Sequence, residues 1–238
     1  MLPRDPPQQS LDTSRSGSAD GATAALAGWS ALIDAGTLCV LGAGRKLAVS
    51  QQAPGTVYIV KSGVMALEAS DHASEQTRII EFLHPGDLVS GELLTASAGA
   101  TLRAITDGSL VRLCGTQLQD VDLLKRVLPL LDAQSSRLAL INLMMGLTVE
   151  ARVATFLMWL AVRTSHPSSG PVTLSSPMSR DEAASHLLIN RDTLSRVLSK
   201  LRQQGIIAKL ERRRLLIADW KGLCALSPLA DMVTGLAA

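Results

Sequence analysis

The most informative segment of the chain is residues 179–205, SRDEAASHLLINRDTLSRVLSKLRQQG. Ser179 and Glu182 have the S-x-x-E spacing of a capping box, which predicts that a helix begins at Ser179. The pattern breaks at residues 188–190, and Asn190 is suited to cap a second helix that Gly205 would end. Two helices joined by a three-residue turn indicate a helix-turn-helix.

The second predicted helix, residues 191–204, has two chemically different faces. At about 100° per residue, the aliphatic face comprises Leu194, Val197, Leu198 and Leu201. The polar face comprises Asp192, Ser195, Arg196, Ser199 and Gln203. A polar face with an arginine among short side chains predicts a recognition helix. Arg196 would donate to guanine, and Asp192 would accept from cytosine or hold the arginine in place. Arg180 and Arg191 lie near the two helix starts, where backbone amides already favour phosphate.

A basic hairpin is predicted directly after the second helix. Residues 206–208 and 215–217 have the composition of two strands, and the segment between them contains Arg212, Arg213 and Arg214. A hairpin in this position forms a wing whose arginines would contact the DNA backbone, whereas an isolated arginine triplet is usually a solvated turn.

The distribution of charge agrees with a nucleic-acid partner for the C-terminal part. Residues 149–238 contain 12 Lys+Arg against 7 Asp+Glu, whereas residues 1–148 contain 11 against 14. The positive excess therefore lies on the part that contains the helix-turn-helix. Aromatic residues make up only 3% of the chain, which argues against binding by stacked aromatic side chains.

Residues 41–113 alternate short β-rich runs with turn residues. The runs are residues 46–49, 57–60, 64–67, 78–82, 102–105 and 110–113. The turns are Pro54-Gly55, Ser62-Gly63, Pro85-Gly86 and Asp107-Gly108, where glycine can supply a positive φ. This spacing predicts an all-β sandwich or barrel.

A long helix is predicted between the two parts. Apolar residues recur after Pro129 with nearly heptad spacing, at Leu131, Leu138, Ile141 and Met145. This row predicts a dimerisation helix, and the alternative is a helix buried within one chain.

The remaining features exclude several classes of protein. Three scattered cysteines, Cys39, Cys114 and Cys224, form no zinc motif or disulfide framework, so free thiols in an intracellular protein are expected. Cys39 and Cys114 are expected to be small buried residues, with a redox switch as the alternative. The longest apolar run, residues 138–149, is too short to span a membrane. Residues 1–23 are polar and rich in proline and serine, which predicts a disordered tail rather than a signal peptide. We therefore expect a cytoplasmic protein with no membrane partner.

Residues 178–220 resemble the winged helix-turn-helix of the cyclic-AMP receptor protein / fumarate-nitrate regulator (CRP/FNR) family. Residues 191–198, RDTLSRVL, are close to the family pattern R-E-T-[VI]-[GS]-R-[IL]-L, so the resemblance places Arg191, Asp192, Ser195 and Arg196 at DNA-reading positions. Asp192 replaces the usual Glu, and Leu188 stands where many members have a turn glycine. Residues 150–157, 58–64 and 83–89 also resemble family signatures, which extends the resemblance over residues 30–225.

The resemblance implies an α+β protein with an N-terminal antiparallel β-roll of the cyclic-nucleotide-binding type. The expected parts are a disordered tail (1–24), the β-roll (25–115), a dimerisation helix region (116–148) and a winged helix-turn-helix DNA-binding domain (149–238). The implied function is a homodimeric transcription regulator that binds a palindromic operator in double-stranded DNA and contacts RNA polymerase. No catalytic residues are implied.

The effector is the least determined part of this interpretation. Gly91, Glu92 and Leu93 match the G-E-[LF] of nucleotide-binding members, but residues 95–101 lack the arginine that holds the cyclic phosphate, so we expect no tight cyclic-AMP binding. No cysteine precedes Cys39, which disfavours an iron-sulfur cluster. Two sensing alternatives remain open, a cyclic dinucleotide and a gas bound to haem; the haem ligands would come from His72, His84, Met144 and Met145.

A rival of a different class is a cupin-like small-molecule-binding protein or enzyme. It would need a cluster of histidine and carboxylate ligands, whereas the β-rich part offers only His72 and His84 outside any metal-binding motif. We therefore expect neither a metal site nor an enzyme.

Overall fold

The computed structural model describes residues 30–47, 55–70, 77–96, 100–164, 170–209 and 214–236, without the side chains of residues 93, 95 and 96. The predicted tail at residues 1–24 lies outside this part. No helix in the described ranges combines the length and the apolar character needed to cross a bilayer.

The N-terminal part consists of short antiparallel strands. Its elements are α1 (30–35), β1 (Thr37–Leu41), β2 (Val57–Ser62), β3 (Met65–Ser70), β4 (Thr77–Leu83), β5 (Leu88–Ser90), α2 (Gly91–Ala96), β6 (Ala100–Ala104) and β7 (Gly108–Leu113). The strands form two sheets in the orders β1-β7-β2-β5 and β4-β3-β6. Residues such as Tyr58, Met65, Leu83 and Leu110 are almost fully buried in one cluster contributed by both sheets. The expected β-roll is confirmed.

The sequence patterns located most of these strands but not all. Of the predicted strand at residues 46–49, Lys46 forms a bridge with Arg103, and residues 48 and 49 lie outside the described residues. β1 and β5 were not predicted. Gly55, Gly63 and Gly86 have the expected positive φ, but Gly108 does not. Glycine is needed at 108 because a Cβ there would overlap the carbonyl oxygen of Ser62.

A 3-10 turn, Gln117–Gln119, leads into the long helix α3 (Val121–Met145). Asp120 caps α3 by accepting hydrogen bonds from the backbone amides of Asp122 and Leu123. The helix therefore begins well before Pro129, the point after which the apolar pattern had predicted it, and Pro129 lies inside it. Val127 on its inner face packs in a cluster with β-roll residues such as Ile59 and Val111.

The C-terminal part is a winged helix-turn-helix, as predicted. Its elements are α4 (Val149–Thr164), β8 (Val172–Ser175), α5 (Arg180–His186), α6 (Arg191–Gln203), β9 (Ile207–Lys209), β10 (Arg214–Ile217), α7 (Trp220–Ala225) and α8 (Ala230–Gly235). The three strands pair antiparallel in the order β8-β10-β9. β9 is shifted by one residue from the prediction, β10 begins one residue earlier than predicted, α6 ends one residue earlier, and β8 was not predicted.

Strand β4 of the β-roll contacts helix α5 directly. The backbone amide of Ile79 donates a hydrogen bond to Ser185 Oγ at 3.2 Å. The His186 ring is buried beside Phe82 of β4 and Phe156 of α4, with ring centroids 5.3 Å and 5.2 Å away. The first helix of the helix-turn-helix is therefore held against the N-terminal part.

Candidate nucleic-acid interface

Both helices of the helix-turn-helix begin at the predicted caps. The Glu182 amide donates to Ser179 Oγ at 3.2 Å, and the Ser179 amide donates to Glu182 Oε2 at 2.7 Å, which completes the capping box. Asn190 Oδ1 accepts from the Thr193 amide at 2.7 Å. These local contacts satisfy backbone donors that would otherwise have no partner at the two helix starts.

The turn between α5 and α6 contains a leucine in a left-handed conformation. Leu188 has φ of 54° and is the only non-glycine residue with positive φ in the described ranges. Its side chain is 46% exposed, so burial does not explain the leucine. The left-handed conformation costs about 1–2 kcal/mol for a residue with a Cβ. The leucine at this position therefore leaves a strained backbone in the turn.

Helix α6 presents its polar face outward. Leu194, Leu198 and Leu201 are buried and Val197 is partly buried. On the opposite side Asp192, Arg196, Ser199 and Gln203 are exposed and Ser195 is half-buried. Among the described residues, neither Asp192 nor Arg196 has an ion-pair partner within 4 Å, so Asp192 does not hold Arg196 in this state. Both side chains are free to meet the edges of bases.

The other predicted contact residues differ in how well the structure defines them. Arg180 is exposed at the start of α5, and Arg214 is exposed at the start of β10. Arg191 lies 3.5 Å from Asp181 in an exposed ion pair, which contributes little stability. Arg212 and Arg213 lie outside the described residues. The DNA contacts of all these residues stay predictions.

Two residues that position the interface were missed by the prediction from sequence. Arg152 Nη1 donates to the carbonyl of Leu187 at 2.8 Å, and its Nη2 donates to the carbonyls of Met145 and Leu147 at 2.8 Å and 3.0 Å. Arg152 thereby joins the ends of α3 and α5. Glu150 accepts from Lys200 Nζ at 2.6 Å, which ties α6 to α4. The E-x-R pattern at residues 150–152 was the available signal.

The predicted effector residues lie at the start of α2. The Gly91 amide donates to the carbonyl of Thr56 at 2.7 Å, and Glu92 Oε1 accepts from the Gly55 amide at 2.6 Å. The side chain of Leu93 lies outside the described residues. These contacts fix the start of α2 against the turn before β2.

Arg103 is held by two carboxylates. Its Nε donates to Glu68 at 2.6 Å, and its Nη2 donates to Glu182 at 2.9 Å. Burial alone would lower the pKa of the Arg103 guanidinium, but the hydrogen bonds to these two carboxylates raise it. Arg103 is therefore occupied with a contact between the β-roll and the helix-turn-helix.

A buried group of charges connects the β-roll to α3 and α4. Arg137 of α3 contacts Glu81 at 2.6 Å and Asp87 Oδ1 at 3.1 Å, and Arg163 of α4 contacts the same Asp87 oxygen at 2.6 Å. Burial raises the pKa of Glu81 to about 7 despite Arg137. The His84 amide donates to Asp87 at 2.7 Å, and burial lowers the pKa of the His84 imidazole to about 4. The β-roll, α3 and α4 thus meet around the carboxylate of Asp87.

The residues considered for haem and redox chemistry are placed only in part. His72 lies outside the described residues, Met144 is buried and Met145 is half-buried. In the described ranges, no three His, Cys, Asp or Glu side chains are grouped so as to hold a metal ion. Cys39, Cys114 and Cys224 are free and half-buried. The haem alternative, the weak cyclic-AMP binding and the lack of an iron-sulfur cluster stay predictions.

Comparison with known proteins gives one consistent result. Residues 151–226 match the Crp-like helix-turn-helix domain. The transcriptional activator protein FnrA of Stutzerimonas stutzeri is 30% identical over 183 residues, which are 72% of each chain. The nitrogen fixation regulation protein FixK of Azorhizobium caulinodans is 30% identical over 198 residues, 79% of this chain and 78% of that protein.

Solved structures agree on the fold. The structure of FixK2 from Bradyrhizobium japonicum matches with a TM-score of 0.66 at 23% identity, over 81% of this chain and 97% of that one. A CRP-family transcriptional regulator from Thermus thermophilus matches with a TM-score of 0.64 at 22% identity, over 79% and 96%. The chain therefore belongs to the CRP/FNR family of DNA-binding transcription regulators, which are not enzymes.

Proposed function

We propose that this protein regulates transcription as a homodimer that binds a palindromic operator through residues 149–238 and contacts RNA polymerase. The observation that carries the proposal is the amphipathic character of α6. Its leucines are buried in the domain, while Asp192, Arg196 and Ser199 are exposed at the surface. Helices of this form enter the major groove with their polar face toward the bases.

Within this face we assign base recognition to Arg196, Asp192, Ser195 and Ser199. The guanidinium of Arg196 matches the O6 and N7 acceptors of guanine, and the short serines let the helix approach the groove closely. Arg180, Arg191 and the wing arginines 212–214 would contact phosphate, which positions the protein without reading sequence.

The homodimer is supported by an apolar row on the outer side of α3. Val121, Leu124 and Leu128 are 61%, 38% and 52% exposed in the single chain. At spacings of three and four residues the row continues through Leu131, Ser135, Leu138, Asn142 and Met145, and its apolar members here are half-buried. A heptad row of exposed apolar residues is the pattern by which one helix packs against another.

Ile141, which was predicted with this row, is half-buried, as are Leu138 and Met145. The 3.6-residue period places it about 60° from Leu138 and about 40° from Met145, at the edge of the row. We therefore assign the dimer contact to the four predicted residues, Leu131, Leu138, Ile141 and Met145, together with Val121, Leu124 and Leu128.

For the effector we propose that cyclic AMP is not the ligand. Arg103, the nearest arginine downstream of Gly91-Glu92, lies in β6 and is bound to Glu68 and Glu182. A phosphate at the start of α2 would need a charged partner from elsewhere, because a buried phosphate without one is costly.

The test of DNA recognition compares Arg196→Ala with a charge-matched control. Arg45→Ala removes one exposed positive charge from the β-roll, far from α6 in sequence and on another domain. By fluorescence anisotropy on the protein's own promoter region, Arg196→Ala should lose about 1–3 kcal/mol of specific binding. Binding to random-sequence DNA should change little, and Arg45→Ala should behave as wild type. Equal loss by Arg196→Ala on both DNAs would mean that Arg196 contacts phosphate, and no loss on either would remove α6 from the interface.

A further inference from the structure

A cavity of about 270 Å³ lies inside the helix-turn-helix domain, between α4, α5, α6 and the sheet of the wing. Its walls are aliphatic and aromatic side chains that are themselves buried, among them Phe156, Leu157 and Leu160 of α4 and Leu194 and Leu198 of α6. An apolar space of this kind offers water few hydrogen-bond partners, so it is suited to an apolar guest rather than to ordered water.

The charged part of the lining is cationic. Four of the lining residues are Arg180, Arg202, Lys209 and Arg214, and no carboxylate lines the cavity within the described part of the chain. Arg180, Lys209 and Arg214 are exposed, whereas the apolar walls are buried, so the charges lie at the rim. The cavity therefore combines an apolar interior with a positive opening.

Arg202 is the one member of this set that is half-buried rather than exposed. Its Nε is buried and has no hydrogen-bond partner among the described residues, and its Nη1 reaches only Ser199 Oγ at 3.5 Å. A buried guanidinium nitrogen without an acceptor is costly, and a ligand oxygen would remove that cost.

We propose that this cavity binds a small amphiphilic carboxylate, with a straight alkyl chain between α4 and α6 and the carboxylate at Arg202 and the rim. The volume lies just under the ~300–1,000 Å³ of ordinary ligand sites, which fits a medium-length chain better than a long one. The apolar walls take up the chain, and the cations provide charge complementarity for its head.

Occupation of the cavity would weaken DNA binding, and this consequence rests on the proposed function. Arg180 and Arg214 belong both to the rim and to the residues assigned to phosphate contacts. A bound carboxylate would neutralise charge that the DNA backbone needs, so ligand and DNA would exclude each other.

The binding test is isothermal titration calorimetry of the full-length protein with decanoate and, as an uncharged probe with the same chain, decanol. Ala183 lines the cavity, so Ala183→Leu should fill it and abolish binding of both probes. Arg202→Gln should weaken decanoate about tenfold or more but leave decanol unchanged. Lys221→Gln, a charge-matched change at an exposed residue outside the lining, should bind both probes as wild type does.

Several outcomes would overturn the site. Equal affinity for decanoate and decanol would exclude a role for the cations, and wild-type binding by Ala183→Leu would place the ligand elsewhere. Absence of decanoate binding to wild-type protein would show that the cavity is not a ligand site. If Ala183→Leu does not fold, the Arg202→Gln variant and the comparison of decanoate with decanol still decide whether the cations bind the carboxylate.

The DNA consequence is tested separately, with random-sequence duplex because phosphate contacts do not depend on sequence. Decanoate should raise the Kd for duplex DNA in wild type and not in Ala183→Leu. Binding of decanoate without an effect on DNA would overturn the competition and support the cavity site alone. Failure of the protein to bind any DNA would overturn the proposed function, while the calorimetry would still report on the cavity.

Discussion

Arg103 of the β-roll donates a 2.9 Å hydrogen bond to Glu182, the same carboxylate that completes the capping box of the first helix in the helix-turn-helix. Burial opposes ionisation of this group, but hydrogen bonds from Ser179 and Arg103 lower the pKa of Glu182. The ion pair therefore links the orientation of α5 to the β-roll through a residue that also fixes where α5 begins.

The Arg103–Glu182 contact should be measurable in a double-mutant cycle of Arg103→Met and Glu182→Gln. Glutamine retains the capping box, so the cycle isolates the charge pair. Since both side chains are about one-fifth exposed, with values of 20% and 23%, we expect a coupling free energy of about 1 kcal/mol in urea unfolding. The exposed Asp122–Lys125 pair of α3 is the control and should show almost none. Zero coupling for both pairs would mean that the contact does not hold the domains.

Acid should destabilise the folded chain through His186. Burial lowers the pKa of His186 to about 4 from its ordinary 6.5, so between these values the unfolded state binds more protons than the folded state. The stability that His186 contributes is complete above pH 6.5 and is lost as the pH falls toward 4. Replacement with phenylalanine, His186→Phe, should therefore flatten the dependence of unfolding free energy on pH across this window.

The His186 comparison is made between variant and wild type because another group acts in the opposite direction. Burial raises the pKa of Glu81 from 4.5 to about 7, which makes the fold less stable as the pH rises between these values. Glu81 is present in both proteins, so the difference between the two pH curves reports on His186. Parallel curves would show that the His186 ring is not desolvated as described.

The strained turn predicts a stabilising substitution. Leu188→Gly should remove about 1–2 kcal/mol of left-handed strain at a cost of roughly 0.5–1 kcal/mol in chain entropy. The net gain in unfolding free energy should be about 0.5–1 kcal/mol. Leu188→Ala keeps the Cβ and should show no gain; a gain equal to that of glycine would assign the effect to the exposed side chain instead of the backbone.

The outer row of α3 can be tested with two leucines of equal exposure. Leu128 and Leu143 are both 52% exposed. At this level of α3 the heptad row passes through Asn142. Leu143 lies about 100° around the helix axis from Asn142 and is therefore outside the row. Leu128→Glu should raise the dimer dissociation constant by about tenfold or more in analytical ultracentrifugation, because it places charge in an apolar contact. Leu143→Glu should leave it unchanged. A dimer equally sensitive to both changes would have a different interface.

The wing makes a distinct prediction about salt. If Arg214 contacts one phosphate, Arg214→Ala should reduce the slope of log K against log salt by about 0.9. The substitution should also weaken binding to specific and to random-sequence DNA by the same factor, since a phosphate contact carries no sequence information. An unchanged slope would remove Arg214 from the DNA backbone.

The features that were predicted well depend on local chemistry. The capping residues Ser179 and Asn190, the left-handed Gly205 and the two faces of α6 are set by residues within one or two turns of each other. The resemblance of residues 191–198 to the CRP/FNR pattern then predicted the fold of the whole chain. Local signals of this kind are present in the sequence itself.

The features that were missed depend on contacts between distant residues. Helix α4 is buried along Val153–Val162 on all sides, so it has no amphipathic period from which its packing could be read. Arg103 and Glu182 are 79 positions apart, and their ion pair exists only because β6 and α5 meet in the folded chain. The strands β1, β5 and β8 are three to five residues long, too short for a reliable alternation.

A single oxygen of Asp87 lies within ion-pair distance of Arg137 on the long helix and of Arg163 on the first helix of the DNA-binding part. Arg137 also pairs with Glu81, whereas Asp87 is the one carboxylate within ion-pair distance of Arg163 in the described ranges. Withdrawing Arg163 from that oxygen would therefore leave a partly buried guanidinium without a counterion. Because the two arginines share one oxygen, moving α4 away from α3 at this point would break at least one of the two contacts. We therefore expect α3 and α4 to stay together at Asp87 when the DNA-binding part changes its orientation.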